Sequence, residues 1–287
     1  LKCFFFLVFL MNRVAVVGSS GGVGAAACRH LMGMGAQVAA LSRGGASVGA
    51  ATGIPCDLTS EASIQAAAAA VKAEMGGVDI VFNATGVLHS DTVKPEKALR
   101  QLTVEAMEWN WRVNTLGPAL LAKHFVPMLV KSERKPPVFA SLTARVGSIA
   151  DNSIGGWYAY RSAKAGQNQF LKTLSLEHKR HGLVVLSLHP GTVATGLSAP
   201  FRKPDAPGVF TAEYSAEMLV KVFMEATVED THRLVTDRPR GRSWRRLWRM
   251  TGASMTTPRS PSSGDRPTAG AVMEATVEDD GGFYDYA

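Results

Sequence analysis

Short, mostly apolar runs alternate with longer amphipathic segments along most of the chain. Each run is apolar at nearly every position rather than at every second one, which is typical of strands that are covered on both faces. Turn-forming residues flank the runs and mark where they end. The predicted strands are Arg13–Val17, Gln37–Leu41, Gly53–Cys56, Val78–Phe82, Pro137–Ser141 and Leu183–Leu188.

The segments between the runs predict helices, and Thr211 provides a hydroxyl that could cap the last of them. Strands that alternate with helices indicate a parallel sheet with helices on both faces. We therefore expect an α/β fold with a doubly wound parallel sheet, the Rossmann fold, in a single domain over residues 12–230. The predicted helices are Ala25–Met34, Glu61–Glu74, Val104–Val130, Tyr158–Arg180 and Thr211–Ala226.

Residues 1–11 (LKCFFFLVFLM) are an apolar run of about half the ~20 residues that span a bilayer. No small-residue cleavage site follows before the first predicted strand. We interpret the run as a leader ahead of a start at Met11, outside the mature fold. A role in organelle targeting is the alternative.

The sequence Met-Glu-Ala-Thr-Val-Glu-Asp occurs at 224–230 and again at 273–279. Chance does not explain an identity of this length, and a single pair does not make a repeat architecture. We interpret residues 231–279 as an insertion, rich in Arg, Ser and Pro, with a duplicated junction, and we expect it to be disordered. Residues 280–287 are then the remnant of a last strand.

The formal net charge of +7 comes from one segment. Residues 231–272 hold nine arginines and two aspartates, which equals the net charge of the whole chain, so the predicted domain is neutral. We therefore expect no nucleic-acid partner; a basic arm made by this segment is the alternative. Three cysteines without Cys-x-x-Cys spacing predict a reduced, cytoplasmic protein with no metal site. We also expect no membrane span, because the apolar run 1–11 is too short for one.

A glycine-rich turn, Gly18–Gly24, joins the first predicted strand to the first helix. Glycines in this context let the backbone approach a pyrophosphate at the positive end of the helix, which predicts dinucleotide binding. The second predicted strand is followed by Arg43 and by no acidic residue. Because an acidic residue there would hold a free 2′-hydroxyl and a guanidinium suits a 2′-phosphate, we expect NADP(H) as cofactor.

Tyr160 and Lys164 are one turn apart on a predicted helix, so their side chains leave the same face. The pKa of a free tyrosine is about 10. A lysine cation nearby favours the phenolate, so we expect a lowered pKa for Tyr160 and proton exchange near neutral pH. The pairing is common by chance and gains meaning from the nucleotide-binding turn upstream.

Together, these motifs resemble the short-chain dehydrogenase/reductase family, over residues 13–230 and in the family's order and spacing. The matching positions are Gly18, Gly22 and Gly24, Asp57-Leu58, Asn83-Ala84-Thr85-Gly86, Asn114, Tyr160 with Lys164, and Pro190-Gly191. Two short motifs are similar to those of the C-factor and sniffer-type carbonyl reductase branch. They are Gly86-Val87-Leu88-His89 and Arg145-Val146-Gly147-Ser148-Ile149.

The resemblance implies a cofactor site that is distributed over the ends of the strands. Thr195 would hold the nicotinamide carboxamide and Asp57 would contact the adenine. The implied cofactor-binding residues are Gly18, Ser20, Gly22, Val23, Gly24, Arg43, Asp57, Leu58, Asn83, Ala84, Gly86, Tyr160, Lys164, Pro190, Gly191, Val193 and Thr195.

The resemblance also implies catalytic roles for four residues. Tyr160 would protonate a carbonyl oxygen, and Lys164 would lower the pKa of Tyr160 and hold the nicotinamide ribose. Asn114 would position a water, and Ser148, twelve residues before Tyr160, would hydrogen-bond the developing oxyanion.

Several alternatives remain open at these positions. Ser141 and Thr143 compete with Ser148 because they lie nearer the end of the predicted strand. Tyr158 could replace Tyr160 only if the helix lacked the lysine partner, because Ser162 rather than a lysine lies four residues after Tyr158. His89, His124 and His189 show no metal-ligand spacing, and packing or surface roles are expected for them.

The expected function is the NADPH-dependent reduction of an aldehyde, ketone or quinone to an alcohol. The alternative is a dinucleotide-binding signalling or scaffold protein of the same fold without turnover. The loop 196–210 predicts an open pocket for small or planar carbonyl compounds. A homodimer or homotetramer is the assembly that the resemblance implies.

Overall fold

A computed structural model describes residues 12–201, 208–231 and 234–235 of the chain. Its strands are β1 (Arg13–Val17), β2 (Gln37–Ser42), β3 (Thr52–Pro55), β4 (Ile80–Asn83), β5 (Val138–Leu142), β6 (Val184–Leu188), β7 (Thr192–Val193), β8 (Val209–Phe210) and β9 (Leu234–Val235). Seven of them form one parallel sheet in the order β3-β2-β1-β4-β5-β6-β9, and β7 pairs with β8.

The helices cover both faces of this sheet. They are α1 (Gly22–Gly33), α2 (Glu61–Met75), α3 (Val104–Trp111), α4 (Gly117–Leu129), α5 (Tyr158–Glu177) and α6 (Ala212–Glu225). Val14 and Val16 of β1 pack on the side of α1 and α6, while Ala15 and Val17 pack on the side of α2, α4 and α5. Because side chains alternate along a strand, this double burial explains the continuous apolar runs and confirms the predicted doubly wound Rossmann fold.

The chain reverses its winding direction at β1, which has β2 on one side and β4 on the other. The connections that follow β1 and β4 lead to strands on opposite sides, β2 and β5, and open a crevice between them. Ligands of open α/β sheets bind in such a crevice, beyond the carboxyl ends of the strands. The segments that begin at Gly18 and Ala84 border it.

The prediction of one continuous helix over Val104–Val130 was wrong. The structure has α3 and α4, separated by a π-helical turn at Arg112–Leu116 that contains Asn114. A π-turn inserts an extra residue into the helical hydrogen-bond pattern and is frequent at functional sites. Apolar periodicity does not register an insertion of this size, so the sequence predicted a continuous helix.

The last strand of the sheet begins inside the segment that the sequence assigns to an insertion. Leu234–Val235 forms β9 and pairs in parallel with Ser187 and Leu188 of β6. The sheet therefore continues past the predicted domain boundary at residue 230. Residues 1–11, 236–279 and the predicted strand remnant 280–287 lie outside the described residues.

An ion pair joins β1 to the residue that precedes β4. Arg13 Nη2 lies 2.7 Å from Asp79 Oδ1, and the backbone N–H of Arg13 donates to Oδ2. The Ser132 hydroxyl also donates to Oδ1, at 2.6 Å. Although burial opposes ionisation of Asp79, these hydrogen bonds hold the pKa of its carboxyl below the usual range.

Replacing Asp79 with Asn keeps the shape of the side chain and removes its charge. We expect the free energy of unfolding at neutral pH to fall by about 2–3 kcal/mol, less than for a fully buried pair, because 25% of the Arg13 side chain is exposed. The folded-state pKa is lowered, so this contribution is present above the unfolded value of about 3.9 and is lost as the pH falls through the folded value.

Urea unfolding of both proteins between neutral and acidic pH measures this difference. The matched control is Glu213→Gln, which removes the exposed ion pair with Arg29 and should cost less than ~1 kcal/mol. A loss for Asp79→Asn that does not shrink toward acidic pH would show that the charge of Asp79 is not its source.

Candidate active site

The segments that follow β1, β4, β5 and β6 surround a cavity of about 790 Å³. Each segment comes from a different part of the sequence, and the parallel sheet brings them to one edge. Eleven of the predicted residues line this cavity: Ser20, Gly22, Val23, Ala84, Gly86, Tyr160, Lys164, Pro190, Gly191, Val193 and Thr195. The other predicted residues, Gly18, Gly24, Arg43, Asp57, Leu58, Asn83, Asn114 and Ser148, lie outside its lining.

The glycine-rich turn closes one end of the cavity. Gly18 has φ +87°, and a Cβ on Gly24 would lie 2.2 Å from the Gly18 carbonyl oxygen. The turn therefore cannot keep this shape with a side chain at position 24. It leads into α1, whose N-cap, Gly21, provides no side-chain cap and whose first turn carries no acidic residue.

This helix start fits the pyrophosphate of a dinucleotide. The first N–H groups of a helix have no partner within the helix and carry partial positive charge. Gly22 and Val23 of the first turn of α1 line the cavity, where these groups can receive an anion. The residues present are thus compatible with the cofactor that the fold implies.

Arg43, Asp57 and Leu58 follow the ends of β2 and β3, to the side of the cavity. Two hydrogen bonds from Thr59 and, to a smaller extent, the positive charge of Arg43 lower the pKa of Asp57. Arg43 is therefore close to Asp57, and its side chain is exposed. The neighbouring hydroxyl of Ser42 is buried and has no hydrogen-bond partner among the described residues.

Asn83 and Asn114 hold the backbone of the segment after β4. The Asn83 carboxamide accepts from the Thr85 hydroxyl at 2.6 Å. The Asn114 side chain accepts from Val87 N–H at 3.0 Å and donates to the Val87 carbonyl at 2.8 Å. Both side chains thus fix the position of Gly86, whose missing Cβ would lie 3.4 Å from Asn114 Oδ1.

Tyr160 and Lys164 project from the first turns of α5 and share the cavity wall. Lys164 Nζ lies 6.0 Å from the centre of the Tyr160 ring. It donates hydrogen bonds to the Leu142 carbonyl at 3.0 Å and to Gln167 Oε1 at 2.8 Å. The predicted pairing on one helix face is thus present in the structure.

The pKa of Tyr160 moves in the opposite direction from the sequence-based expectation. Burial raises the pKa of Tyr160, and burial also lowers the pKa of Lys164 to about 7. Desolvation penalises the charged form of each group, the phenolate of Tyr160 and the ammonium of Lys164. In the protein without a ligand, Tyr160 is therefore a protonated phenol at neutral pH.

The structure does not bring Ser148 to the reacting pair. The Ser148 hydroxyl accepts from Asp151 N–H at 3.3 Å, beyond the short 3₁₀ turn Arg145–Gly147. Ala144 instead packs beside Tyr160, together with Leu88. The separation of twelve residues between Ser148 and Tyr160 matches the expected spacing. It does not determine whether the Ser148 side chain faces Tyr160.

The two competing hydroxyls lie at different depths. Ser141 is fully buried within β5, where its Oγ accepts from Asn83 Nδ2 and from Gln167 Nε2. Thr143 lines the cavity, and its hydroxyl donates to Asn168 Oδ1 at 2.7 Å. Of the three candidates, Thr143 alone borders the cavity.

Aromatic rings cover the entrance beside Tyr160. The ring of Trp157 meets those of Tyr160 and Phe201 edge to face, with centroid distances of 6.3 and 5.3 Å. The ring centroids of His89 and Phe201 lie 5.4 Å apart. The wall that faces an incoming substrate is thus largely apolar.

The backbone that leads into α5 has an unusual conformation. Gly155, Gly156 and Trp157 have φ values of +72°, +65° and +52° in succession. Non-glycine residues rarely adopt positive φ, and a tryptophan at such a position indicates local strain. The N–H of Trp157 donates to the Glu96 carbonyl, which helps to hold this conformation.

Of the remaining candidates, Tyr158 and His124 lie apart from the cavity and His189 belongs to its lining. Tyr158 is exposed and lies outside the cavity lining, and His124 bonds to Glu61. Within the described ranges, no cluster of His, Cys, Asp and Glu could hold a metal, and no helix has the length and apolarity to cross a membrane.

Sequence reasoning assigned no role to Gln167 or to Trp157. Gln167 follows Lys164 by three residues, so helical spacing already places it on the same face as Lys164. A polar residue on the buried face of a helix was the available signal. The orientation of Trp157 depends on backbone conformation and had no signal in the sequence.

Comparison with known proteins gives a consistent result. The sequence profile of the family described as short chain dehydrogenase matches residues 12–206. The chain is 33% identical over 228 residues to 1-hydroxy-2-glutathionyl-2-methyl-3-butene dehydrogenase from Rhodococcus sp., covering 78% of this chain and 95% of that protein. It is 33% identical over 132 residues to C-signal from Myxococcus xanthus, covering 46% and 75% of the two chains.

Two solved structures share the fold. NADPH-bound carbonyl reductase from chicken fatty liver superposes with a TM-score of 0.68 at 24% identity and covers 77% of this chain and 94% of that one. Carbonyl reductase Sniffer of D. melanogaster gives a TM-score of 0.67 at 20% identity, with 77% and 95% covered.

Replacing Gly24 with Ala tests the glycine-rich turn. The added Cβ would collide with the Gly18 carbonyl, so the turn must open and the cofactor cradle is lost. We expect the affinity for a nicotinamide dinucleotide, measured by quenching of tryptophan fluorescence, to fall by at least about tenfold, which corresponds to ~1.4 kcal/mol.

The matched control is Gly33→Ala at the other end of α1, where an added Cβ meets no atom within 4 Å. Affinity should be unchanged in this variant. Equal affinities of the two variants would mean that the turn does not hold the cofactor.

Proposed function

The chain belongs to the short chain dehydrogenase family, and we propose that it reduces the carbonyl group of a small molecule to an alcohol with NADPH. The family is one of oxidoreductases that bind a nicotinamide dinucleotide and act on small molecules. The observation that carries the proposal is the cavity itself. It has the N-terminus of α1 at one end and Tyr160 with Lys164 at the other.

The choice of NADPH over NADH rests on the residues at the end of β2. Arg43 is exposed there and no acidic residue follows the strand. A guanidinium can bind a 2′-phosphate in a bidentate manner. The NADPH-bound relative from chicken liver agrees with this choice.

Tyr160 acts as the general acid in the proposed reaction. A nicotinamide dinucleotide, which the start of α1 at Gly22 and Val23 would hold, would supply a hydride for the carbonyl carbon. The phenol of Tyr160 gives its proton to the carbonyl oxygen, and solvent later returns a proton to the phenolate. The raised pKa of Tyr160 keeps the phenol protonated and ready to donate at neutral pH.

Lys164 stabilises the negative charge that develops on Tyr160 during the same step. As Tyr160 loses its proton, negative charge develops on a buried ring whose centre lies 6.0 Å from Lys164 Nζ. A protonated amine at that distance stabilises the phenolate, and it does so more strongly in a dry site than in water. The apolar neighbours Leu88, Ala144 and Trp157 pack around Tyr160 and shield part of its ring from water.

Thr143 is the hydroxyl that we place beside the substrate oxygen, in place of Ser148. Thr143 lines the cavity one residue before Ala144, which packs on Tyr160. Its hydroxyl bonds to the Asn168 carboxamide, and rotation about χ1 or a turn of that amide frees its proton for a carbonyl oxygen. Ser148 lies outside the cavity lining, and its hydroxyl accepts from Asp151 N–H.

The central experiment measures the loss of NADPH absorbance with a panel of aldehydes, ketones and quinones. The full chain should consume NADPH faster than NADH. Tyr160→Phe should bind NADPH with unchanged affinity and lose about 10²–10⁴ in rate, which is the usual contribution of a general acid. Tyr158→Phe, two residues away and exposed, is the matched control and should keep its activity.

Two outcomes contradict the proposal. NADPH binding without consumption across the whole panel would favour a protein that keeps the fold without turnover. Near-normal turnover in Tyr160→Phe would remove Tyr160 from the reaction.

The hydroxyl assignment predicts opposite results for two variants. Thr143→Val preserves the shape of the side chain and removes the hydroxyl, so kcat should fall by about 10²–10³, as for other oxyanion donors. Ser148→Ala should keep nearly the full kcat because its hydroxyl bonds outside the cavity. Steady-state rates with one good substrate measure both, and the reverse order would restore Ser148 to the site.

A further inference from the structure

A buried carboxamide lies directly against the amino group of Lys164. Gln167 has no exposed surface, and its Oε1 accepts from Lys164 Nζ at 2.8 Å. Its Nε2 donates to Ser141 Oγ at 2.8 Å and to the Leu142 carbonyl at 3.2 Å. Burying an amide of this size is costly unless its groups are paired, and every polar atom of Gln167 has a partner.

The network fixes the orientation of the amide. The Leu142 carbonyl can only accept, so the Gln167 NH₂ group must face it. The amide oxygen then points at Lys164, where a protonated amine can only donate. Ser141 Oγ also accepts from Asn83 Nδ2 at 2.9 Å, which anchors the network to β4.

We propose that Gln167 is a positioning residue that holds Lys164 in place and in its protonated form, and that it thereby sets the upper pH limit of the reaction. The inference rests on the reductase function proposed above. It assigns a role to a side chain that contacts neither substrate nor cofactor and acts through Lys164.

Among the described side chains around Lys164, Gln167 is the one that accepts a hydrogen bond from its amino group. The other titratable side chains that line the cavity are Tyr160, Arg145 and His189, and none of them is a carboxylic acid. Arg145 forms an ion pair with Asp151, and the amide of Asn114 is bonded to Val87. Within the described part of the chain, Lys164 Nζ bonds to Gln167 Oε1 and to the Leu142 carbonyl alone.

Hydrogen bonds to the charged form of a group favour that form. Burial pushes the pKa of Lys164 down to about 7, close to physiological pH. A loss of the Gln167 oxygen removes one of its two acceptors and should lower this pKa further. Because the protonated amine stabilises the Tyr160 phenolate, the reduction rate must fall once Lys164 deprotonates.

Two variants of nearly the same size shift this titration in opposite directions. Gln167→Met removes the acceptor, and the midpoint of the alkaline fall in kcat should move down by about 1 pH unit. Gln167→Glu places a carboxylate against Nζ and should move the midpoint up by a similar amount. Gln169→Met, the matched control two residues along the exposed face of α5, should leave it in place.

A direct titration separates this inference from the function. The ¹³Cε resonance of Lys164, in protein labelled on lysine and assigned through Lys164→Met, reports the pKa without turnover. We expect a midpoint near about 7 in the parent chain, a lower one in Gln167→Met and a higher one in Gln167→Glu.

Each outcome decides a separate point. Shifted midpoints in a protein that consumes no NADPH would support the action of Gln167 on Lys164 and contradict the reductase function. An active enzyme whose midpoints do not move, in either variant, would overturn the role of Gln167. If Gln167→Met does not fold, Gln167→Leu, which also lacks the acceptor, provides the same test, and an unmoved midpoint in that variant would overturn the role.

Discussion

Parallel strands place all of their carboxyl ends at one edge of the sheet, and the site depends on this constraint. The glycine-rich turn, Gly86, Thr143 and His189 follow four different strands and would otherwise be distant. The reversal of winding at β1 opens the crevice between them. Helix α5, which packs on one face of the sheet, then brings Tyr160 and Lys164 to the open edge.

The features that the sequence predicted well are those set by local composition. Strands buried on both faces must be apolar throughout, and the Gly18 carbonyl tolerates no side chain at position 24. Both constraints can be recognised from residue types alone, as continuous apolar runs and as a glycine at position 24. The spacing of Tyr160 and Lys164 belongs to the same class, because a helix fixes which residues share a face.

The features that the sequence did not predict depend on the path of the backbone in loops and irregular turns. Ser148 has the right separation from Tyr160, but it follows a 3₁₀ turn and lies outside the cavity lining, whereas Ala144 packs beside the tyrosine. The π-turn around Asn114 inserts one residue into an otherwise regular helix pattern. The electrostatics also reversed an expectation, because desolvation of Tyr160 and Lys164 depends on packing that residue types alone do not reveal.

The three consecutive residues with positive φ before α5 have a consequence for how this region can evolve. Gly155, Gly156 and Trp157 form a short left-handed turn that passes directly into a right-handed helix. A side chain at position 155 or 156 would strain this turn, because residues other than glycine rarely adopt positive φ. The composition of the segment that leads into α5 is therefore constrained at these two positions, although neither residue lines the cavity.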